Sequence, residues 1–295
     1  MSDFRLKVFQ SVAKNLSFTK ASQELFVSQP AITKHIQELE ATYQTRLFDR
    51  QGSKISLTES GRLLLEHCER ILEDYKRLEY EMHLLHNEYI GELKLGASTT
   101  IAQYVLPPLL GSFIGKFPQV NLSLLNGNSR EIEAALQEHR IDLGLVEGVF
   151  RLPNLKYTTF LEDELVAVVH SKSRLQLPEE ITPQDLPAIP LVLRERGSGT
   201  LDVIERSLQK HGVKLSSLHV LMYLGSTESI KLFLENSDCM GIVSIRSICK
   251  ELAAGTFRVV EIKDMPMLRD FCFVQLQGQG GGLSQAFMNY MFMSR

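Results

Sequence analysis

The sequence predicts an α/β fold preceded by a small helical unit and one long helix. Three observations predict it. From residue 91 onward, short apolar runs alternate with amphipathic stretches of helical period, the order that builds mostly parallel sheets. Residues 59–90 place an apolar side chain every three or four positions without a break. Residues 1–58 hold three short stretches of helical period followed by two extended pieces. The segment 91–295 is large for one sheet, which implies two lobes with a cleft between them.

The chain has 295 residues, enough for two or three domains at roughly 100–200 residues each. Apolar residues make up 44% and charged residues 23%, which excludes collagen-like, disordered and disulfide-dense classes. The net charge of −3 counts, over the whole chain, against nucleic-acid binding. By segment the picture changes. Residues 1–58 hold eight Lys/Arg against five Asp/Glu, net +3; residues 59–90 hold four against eight, net −4. The start, Met1-Ser2-Asp3-Phe4-Arg5, has no apolar signal core. The uncharged stretches 95–115 and 271–294 are broken by Pro107 and Pro108 and by Gly278, Gly280, Gly281 and Gly282, so neither reads as a membrane span. Cys68, Cys239, Cys249 and Cys272 lack C-x-x-C spacing, which points away from zinc and toward a reduced, cytoplasmic protein.

In the first unit, Leu6, Phe9, Val12 and Ala13 repeat at helical spacing. Ser17 precedes a second short helix over 18–25, with Ala21, Leu25 and Phe26 apolar. Ser28 is an N-cap candidate with Pro30 in the first turn, where a missing N–H is harmless. The third helix runs to about residue 41, with Ile32, Ile36 and Leu39 inward. Two short helices joined by a tight turn form a helix-turn-helix. Its outer face carries Ser28, Gln29, Pro30, Thr33, Lys34 and Gln37, residue types that read bases or hold phosphates. The extended pieces 47–50 and 54–58, joined by Gln51-Gly52-Ser53, read as a wing that carries Arg50 and Lys54 toward the backbone or minor groove.

Thr58 caps the long helix, and Glu59 suits its positive start. Leu64, Cys68, Ile71, Tyr75, Leu78, Met82, Leu85 and Tyr89 step by 4, 3, 4, 3, 4, 3 and 4, a heptad seam that pairs with another helix. Beyond Gly91, strands are expected at 91–97, 119–126, 141–146, 164–170, 191–194, 218–224, 240–244, 258–262 and 271–275. Helices are expected at 100–117, 129–138, 201–210, 226–235 and 285–293.

Three strand-to-helix turns are rich in Gly, Ser and Thr: Gly96-Ala97-Ser98-Thr99-Thr100, Gly197-Ser198-Gly199-Thr200 and Gly225-Ser226-Thr227. Helix N-termini offer unpaired N–H groups, and turns at the carboxyl ends of strands converge on a cleft. A small anion is the expected occupant. The candidate ligand residues are Ser98, Thr99, Thr100, Ser198, Gly199, Thr200, Ser226 and Thr227, with Val146, Glu147 and Gly148 at another strand end. Each Ser or Thr also has a plainer role as the cap of its own helix. Arg194 and Arg196 stand near the second turn as charges for an anion or as solvated side chains. No metal spacing, nucleophile elbow or phosphate-binding loop occurs, so no enzyme reading gains support and no cofactor is expected beyond the small-molecule effector.

The residues Phe9-Gln10, Lys14, Ser17-Phe18-Thr19, Ala21-Ser22, Leu25, Ser28-Gln29-Pro30-Ala31, Thr33, Ile36 and Leu39-Glu40 stand at fixed spacing. They continue with Leu47-Phe48, Arg50, Leu57-Thr58 and Gly61. This pattern resembles the N-terminal signature of LysR-type transcriptional regulators, and the likeness extends over the whole chain. The resemblance implies a winged helix-turn-helix at 1–58, a linker and dimerisation helix at 59–90, and a periplasmic-binding-protein-like effector domain at 91–295. Lobe I would comprise 91–161 and 267–295, and lobe II 162–266. In similar regulators the polar residues after the first strand line the effector site, here Ser98, Thr99 and Thr100. The implied partners are a double-stranded DNA operator, an effector and a second copy of the chain through the linker helix, with a tetramer implied by resemblance and RNA polymerase as a further candidate. No membrane is involved. The run Gly96-Ala97-Ser98-Thr99-Thr100-Ile101, with Tyr104, Leu106 and Pro107, is similar to the sulfur-assimilation and carbon-fixation branch. Cys239-Met240-Gly241-Ile242-Val243 departs from the family's Gly-x-Gly-Ile-Ala. Peroxide-sensing relatives carry a cysteine near the position of Gly197-Ser198, where this chain has none. A solute receptor without DNA binding is the alternative, which residues 17–41 oppose.

Overall fold

The protein is described from a computed structural model covering residues 4–51, 54–85, 89–278 and 281–293. Among these, the side chains of residues 50, 51, 54, 73, 76, 77 and 79–85 are not described. The chain divides into two compact units, Met1–Glu88 and Tyr89–Arg295.

The first unit packs α1 (Phe4–Asn15), α2 (Phe18–Glu24), α3 (Gln29–Tyr43) and the start of α4 (Glu59–Leu85) around one core. Strands β1 (Phe48–Gln51) and β2 (Lys54–Leu57) pair antiparallel beside it. The caps lie where small polar residues precede each helix. Ser17 Oγ accepts from Lys20 N at 3.2 Å, and Ser28 Oγ accepts from Ala31 N at 3.4 Å. Phe48 fastens the hairpin to the helices, its ring 5.5 Å from Phe9 and 5.9 Å from Phe18. Leu47 N donates to Glu40 Oε1 at 2.8 Å, which ties the end of α3 to the wing.

Two expectations change here. Phe26 does not join the helical core: it is 94% exposed, at φ +54°, in the turn between α2 and α3. The heptad seam also divides. Cys68 is fully buried in the first unit's core, donating to Leu6 O at 3.2 Å, and Leu64 packs against the same core. Tyr89 lies beyond the described end of α4 and packs on Phe117, ring centroids 4.5 Å apart. Ile71 and Leu78 remain open on the helix surface.

The second unit is one continuous mixed sheet in the order β4-β3-β5-β12-β6-β10-β8-β9, with β11 and β7 branching from β6. In chain order these strands are β3 (Gly91–Ser98), β4 (Val120–Gly127), β5 (Leu143–Glu147), β6 (Leu155–His170), β7 (Glu180–Ile181) and β8 (Leu191–Arg194). They are followed by β9 (Val220–Leu224), β10 (Met240–Ser244), β11 (Phe257–Ile262) and β12 (Met267–Leu276). The helices are α5 (Leu106–Lys116), α6 (Ser129–Gln137), α7 (Gly199–Lys210), α8 (Thr227–Glu235), α9 (Cys249–Ala253) and α10 (Gly282–Met293).

The parallel character expected from alternation holds in β4-β3-β5, in β10-β8-β9 and in the short β7–β11 pair. The middle is antiparallel: β12 runs against β5 and β6, and β6 against β10 and β11. Each half has its own apolar core, one around Phe113, Phe271, Phe273 and Phe287, the other around Leu165, Leu193, Ile204 and Ile242. The helix expected over 100–117 begins as a π-helix, Ile101–Val105, before α5. Pro107 and Pro108 have no N–H to donate to Gln103 and Tyr104 four residues back, so the α-helical ladder fails there. Strand β6 is sixteen residues long, far beyond the expected 164–170.

Candidate effector cleft and DNA-reading face

On the first unit, α3 buries Ile32, Ile36 and Leu39 and turns the opposite face outward. Ser28, Gln29, Pro30, Lys34 and Gln37 are exposed and Thr33 is half-buried. Thr33 Oγ1 donates to Gln29 O at 3.1 Å, and Thr19 Oγ1 donates to Gln29 Oε1 at 3.3 Å, so the first turn of α3 is steadied by α2. Lys34 Nζ reaches Glu38 only at 4.0 Å, which leaves its charge largely to solvent. Arg50 and Lys54 stand on β1 and β2, paired in register with Ile55 and Gln51; their side chains lie outside the described residues.

On the second unit, the carboxyl ends of the parallel strands meet, as expected where two halves of an open sheet face each other. Ser98 ends β3, Glu147 ends β5 and Arg194 ends β8. Four ties cross between the halves. Arg194 Nη2 donates to Thr99 Oγ1 at 3.0 Å. Tyr104 OH donates to Glu228 Oε1. Arg130 N donates to Gly197 O at 3.3 Å, and its guanidinium lies 3.6 Å from Asp202 Oδ1. Arg269 Nη1 donates to Thr200 Oγ1 at 2.8 Å and stands 3.5 Å from Glu147 Oε1.

The candidate ligand residues fall into three groups. Thr99 and Thr100 follow β3: Thr99 takes the bond from Arg194, and Thr100 Oγ1 is buried with no partner among the described residues. Ser98, Glu147, Gly199 and Thr200 gather deeper, around Arg269. The rest serve local structure. Ser198 Oγ accepts from Leu201 N at 3.2 Å and donates to Glu195 O at 2.8 Å. Ser226 caps α8, accepting from Ser229 N at 3.1 Å, and Thr227 is buried in the first turn that follows. The Val146 side chain packs in the apolar cluster with Ile132 and Ile141. Gly148, at φ +137°, follows the end of β5, and a β-carbon there would stand 3.3 Å from Gly199 Cα.

Two arginines matter more than their sequence context suggests. Arg194 is 1% exposed, whereas Arg196 is open to solvent. Arg194 Nε and Nη2 form a fork with Glu195 at 2.8 and 3.0 Å, and Arg194 Nη1 is buried without a partner among the described residues. Gln103 Oε1, on the π-helix, is likewise buried and unpartnered. Arg269 is buried on β12 between Asp163, which accepts from Nε at 2.8 Å, and Thr200. It occupies an inward position of an alternating strand, with Met267 and Phe271 on either side. A charge at an inward position was the readable signal.

At the outer end, Lys231 bonds Glu228 at 2.9 Å and Glu251 at 2.6 Å and sits 5.5 Å over the Tyr104 ring. Burial, with the bond to Glu228 and its negative charge, pushes the Tyr104 hydroxyl far above its ordinary value. Burial alone would raise Glu228, yet the bonds from Tyr104 and Lys231 hold it below the usual range. Burial alone would lower Lys231, and the two glutamates raise it instead.

Residues 4–62 match the family described as "Bacterial regulatory helix-turn-helix protein, lysR family", and residues 86–292 match "LysR substrate binding domain". The chain belongs to the LysR family. It is a LysR-type transcriptional regulator with a DNA-binding unit and an effector-binding domain, which disfavours the solute-receptor alternative. It is 29% identical over 269 residues to the HTH-type transcriptional regulator CysL of Bacillus subtilis, covering 91% of this chain and 89% of that one. It is 32% identical over 268 residues to a probable RuBisCO transcriptional regulator of Cyanidioschyzon merolae, covering 90% and 88%. These names fit the sulfur-assimilation and carbon-fixation branch, and LysR-type regulators are not enzymes. Among solved structures, the regulatory domain of Synechocystis PCC6803 CcmR in complex with 2-PG aligns with a TM-score of 0.62 at 28% identity. The alignment covers 69% of this LysR-type chain and 97% of that chain. Among the described residues, no helix is long and apolar enough to cross a membrane, and no group of three His, Cys, Asp or Glu could hold a metal.

Proposed function

We propose that this regulator responds to a small oxyanion or phosphorylated acid held between the two halves of its second unit. The observation that carries the reading is Arg194: a fully buried guanidinium with a free Nη1, next to Thr99 and Thr100 at the end of β3. A buried cationic donor without an acceptor is costly unless something supplies one. The unpartnered Thr100 hydroxyl and Gln103 carbonyl add polar groups for the same occupant. The CcmR domain, similar over this region, is described in complex with 2-phosphoglycolate, an anion of this class.

On this reading Ser28, Gln29, Pro30, Thr33, Lys34 and Gln37 meet the major groove, and Arg50 and Lys54 meet the flanking backbone or minor groove. The domains run 1–58, 59–90 and 91–295, and α4 pairs two copies through its open Ile71 and Leu78 side. The dimer, and a tetramer built from it, act in the cytoplasm on two half-sites. Occupancy shifts the balance between arrangements by differential affinity for them.

The test is a melting-temperature screen of the full chain with 2-phosphoglycolate, inorganic phosphate and sulfate. It is paired with gel shifts on the DNA upstream of the regulator's own gene and its divergent neighbour. A saturable rise with at least one anion, absent in Arg194→Met, is expected. No rise with any anion would overturn the anionic reading.

A further inference from the structure

An acidic side chain stands among the groups that would attract an anion. Glu147 ends β5, is almost wholly buried, and directs its carboxylate at a hydroxyl and a guanidinium. Ser98 Oγ donates to its Oε2. Arg269 Nη1 lies 3.5 Å from Oε1. The start of α7 lies against it: a β-carbon on Gly199 would stand 2.9 Å from Glu147 Cγ and 1.9 Å from its carbonyl oxygen. A hydroxyl, a buried guanidinium whose Nε already holds Asp163, and the Ser198-capped start of a twelve-residue helix together make a corner that attracts an anion. Arg269 Nη2 is buried and has no partner among the described residues, so this corner retains an unused donor. Its occupant is the chain's own carboxylate.

The geometry points to Glu147 as a tethered competitor for the anionic effector: in the effector-free chain its carboxylate fills the deep subsite of Ser98, Arg269 and the α7 N-terminus. The inference rests on the anionic reading above and extends it to how the site is regulated. Ser98 is the shared element. It adjoins Thr99 and Thr100 on the same strand end, so an anion drawing on that hydroxyl must take it from Glu147. Releasing Ser98 weakens one of the two ties that hold Glu147, and with it the link from β5 through Arg269 to Thr200 on α7. Effector occupancy in one half is thereby felt at the first turn of a helix in the other.

The experiment compares wild type, Glu147→Gln and Glu147→Ala as full chains. Removing the competing charge in Glu147→Gln should tighten binding of 2-phosphoglycolate, phosphate or sulfate by about tenfold, a typical coupling between sites. Unchanged or weaker affinity, with wild type binding normally, overturns the proposal. Glu147→Ala vacates the subsite and should regain stability with formate or acetate, read as a carboxylate-dependent rise in melting temperature that wild type and Glu147→Gln do not show. This second arm needs no effector. If wild type binds none of the three anions, the anionic reading fails, and formate rescue of Glu147→Ala alone then decides whether Glu147 fills an anion receptor. Absence of rescue in folded Glu147→Ala overturns it.

Discussion

At the scale of single residues, the proposed effector response rests on buried polar atoms that have no partner among the described residues. Thr100 is the simplest case. Its hydroxyl is buried and unpaired, so Thr100→Val should cost no stability, and removing the unsatisfied group is worth up to about 1 kcal/mol. The same change should blunt the effector dose-response while leaving basal operator binding intact. A thermal melt and an effector titration in a gel shift check the two halves of that statement. Glu228 gives a pH signature. Its carboxyl is held below the ordinary value of 4.5, so the stability it contributes is present above that pH and is lost as pH falls through its lower folded value. Melting temperature should therefore drop less steeply between about pH 5 and pH 3 in Glu228→Gln than in wild type. The hydroxyls at the strand ends are visible in the sequence because Gly, Ser and Thr cluster there. Arg194 is legible there only as a charge near the second turn, and neither its burial nor that of Arg269 can be read, because burial of a charge is decided by strands far away in the chain. Only the inward register of Arg269 hinted at it.

At the scale of elements, α3 and α7 do different kinds of work. The exposed face of α3 predicts that Gln29→Ala combined with Lys34→Ala abolishes selective operator binding without altering the oligomeric state. Gel shift against competitor DNA and light scattering test this, and unchanged selectivity would displace α3 as the reading helix. The start of α7 depends on Gly199, where a β-carbon would lie 1.9 Å from Glu147 O. Gly199→Ala must push α7 off β5, at a cost of about 1–3 kcal/mol for overpacking, measurable by denaturant melts. Most elements of both units follow from period and caps in the sequence. Three features do not. The π-helix at 101–105 arises because Pro107 and Pro108 withdraw two donors, which breaks a ladder that the apolar pattern continues through. The first half of β6, Leu155 to Asp163, lacks clean alternation because its register with β12 shifts at Phe271/Cys272 and passes over Phe160. The α4 seam is continuous in sequence although its early residues are spent on the first unit's core.

At the scale of the whole molecule, the charge distribution separates reading from holding. Net charge is −3 overall, yet residues 1–58 are net +3. Electrostatic contact with phosphates is therefore modest for each reading unit, so non-specific affinity should be low and should fall only shallowly as salt rises from about 50 to 200 mM. Parallel titrations on operator and random DNA measure the two slopes. The sheet of the second unit has a further consequence. Because β6 and β12 run through both halves as paired strands, the two apolar cores share one ladder of amide bonds. Neither half can come apart without stripping strands from the other. Heating should thus give one cooperative transition for residues 89–295, and the amides at the middle of the β6–β12 ladder should exchange with deuterium only through that global event. The slowest-exchanging protons should therefore lie midway between the two halves, on the strands that belong to both.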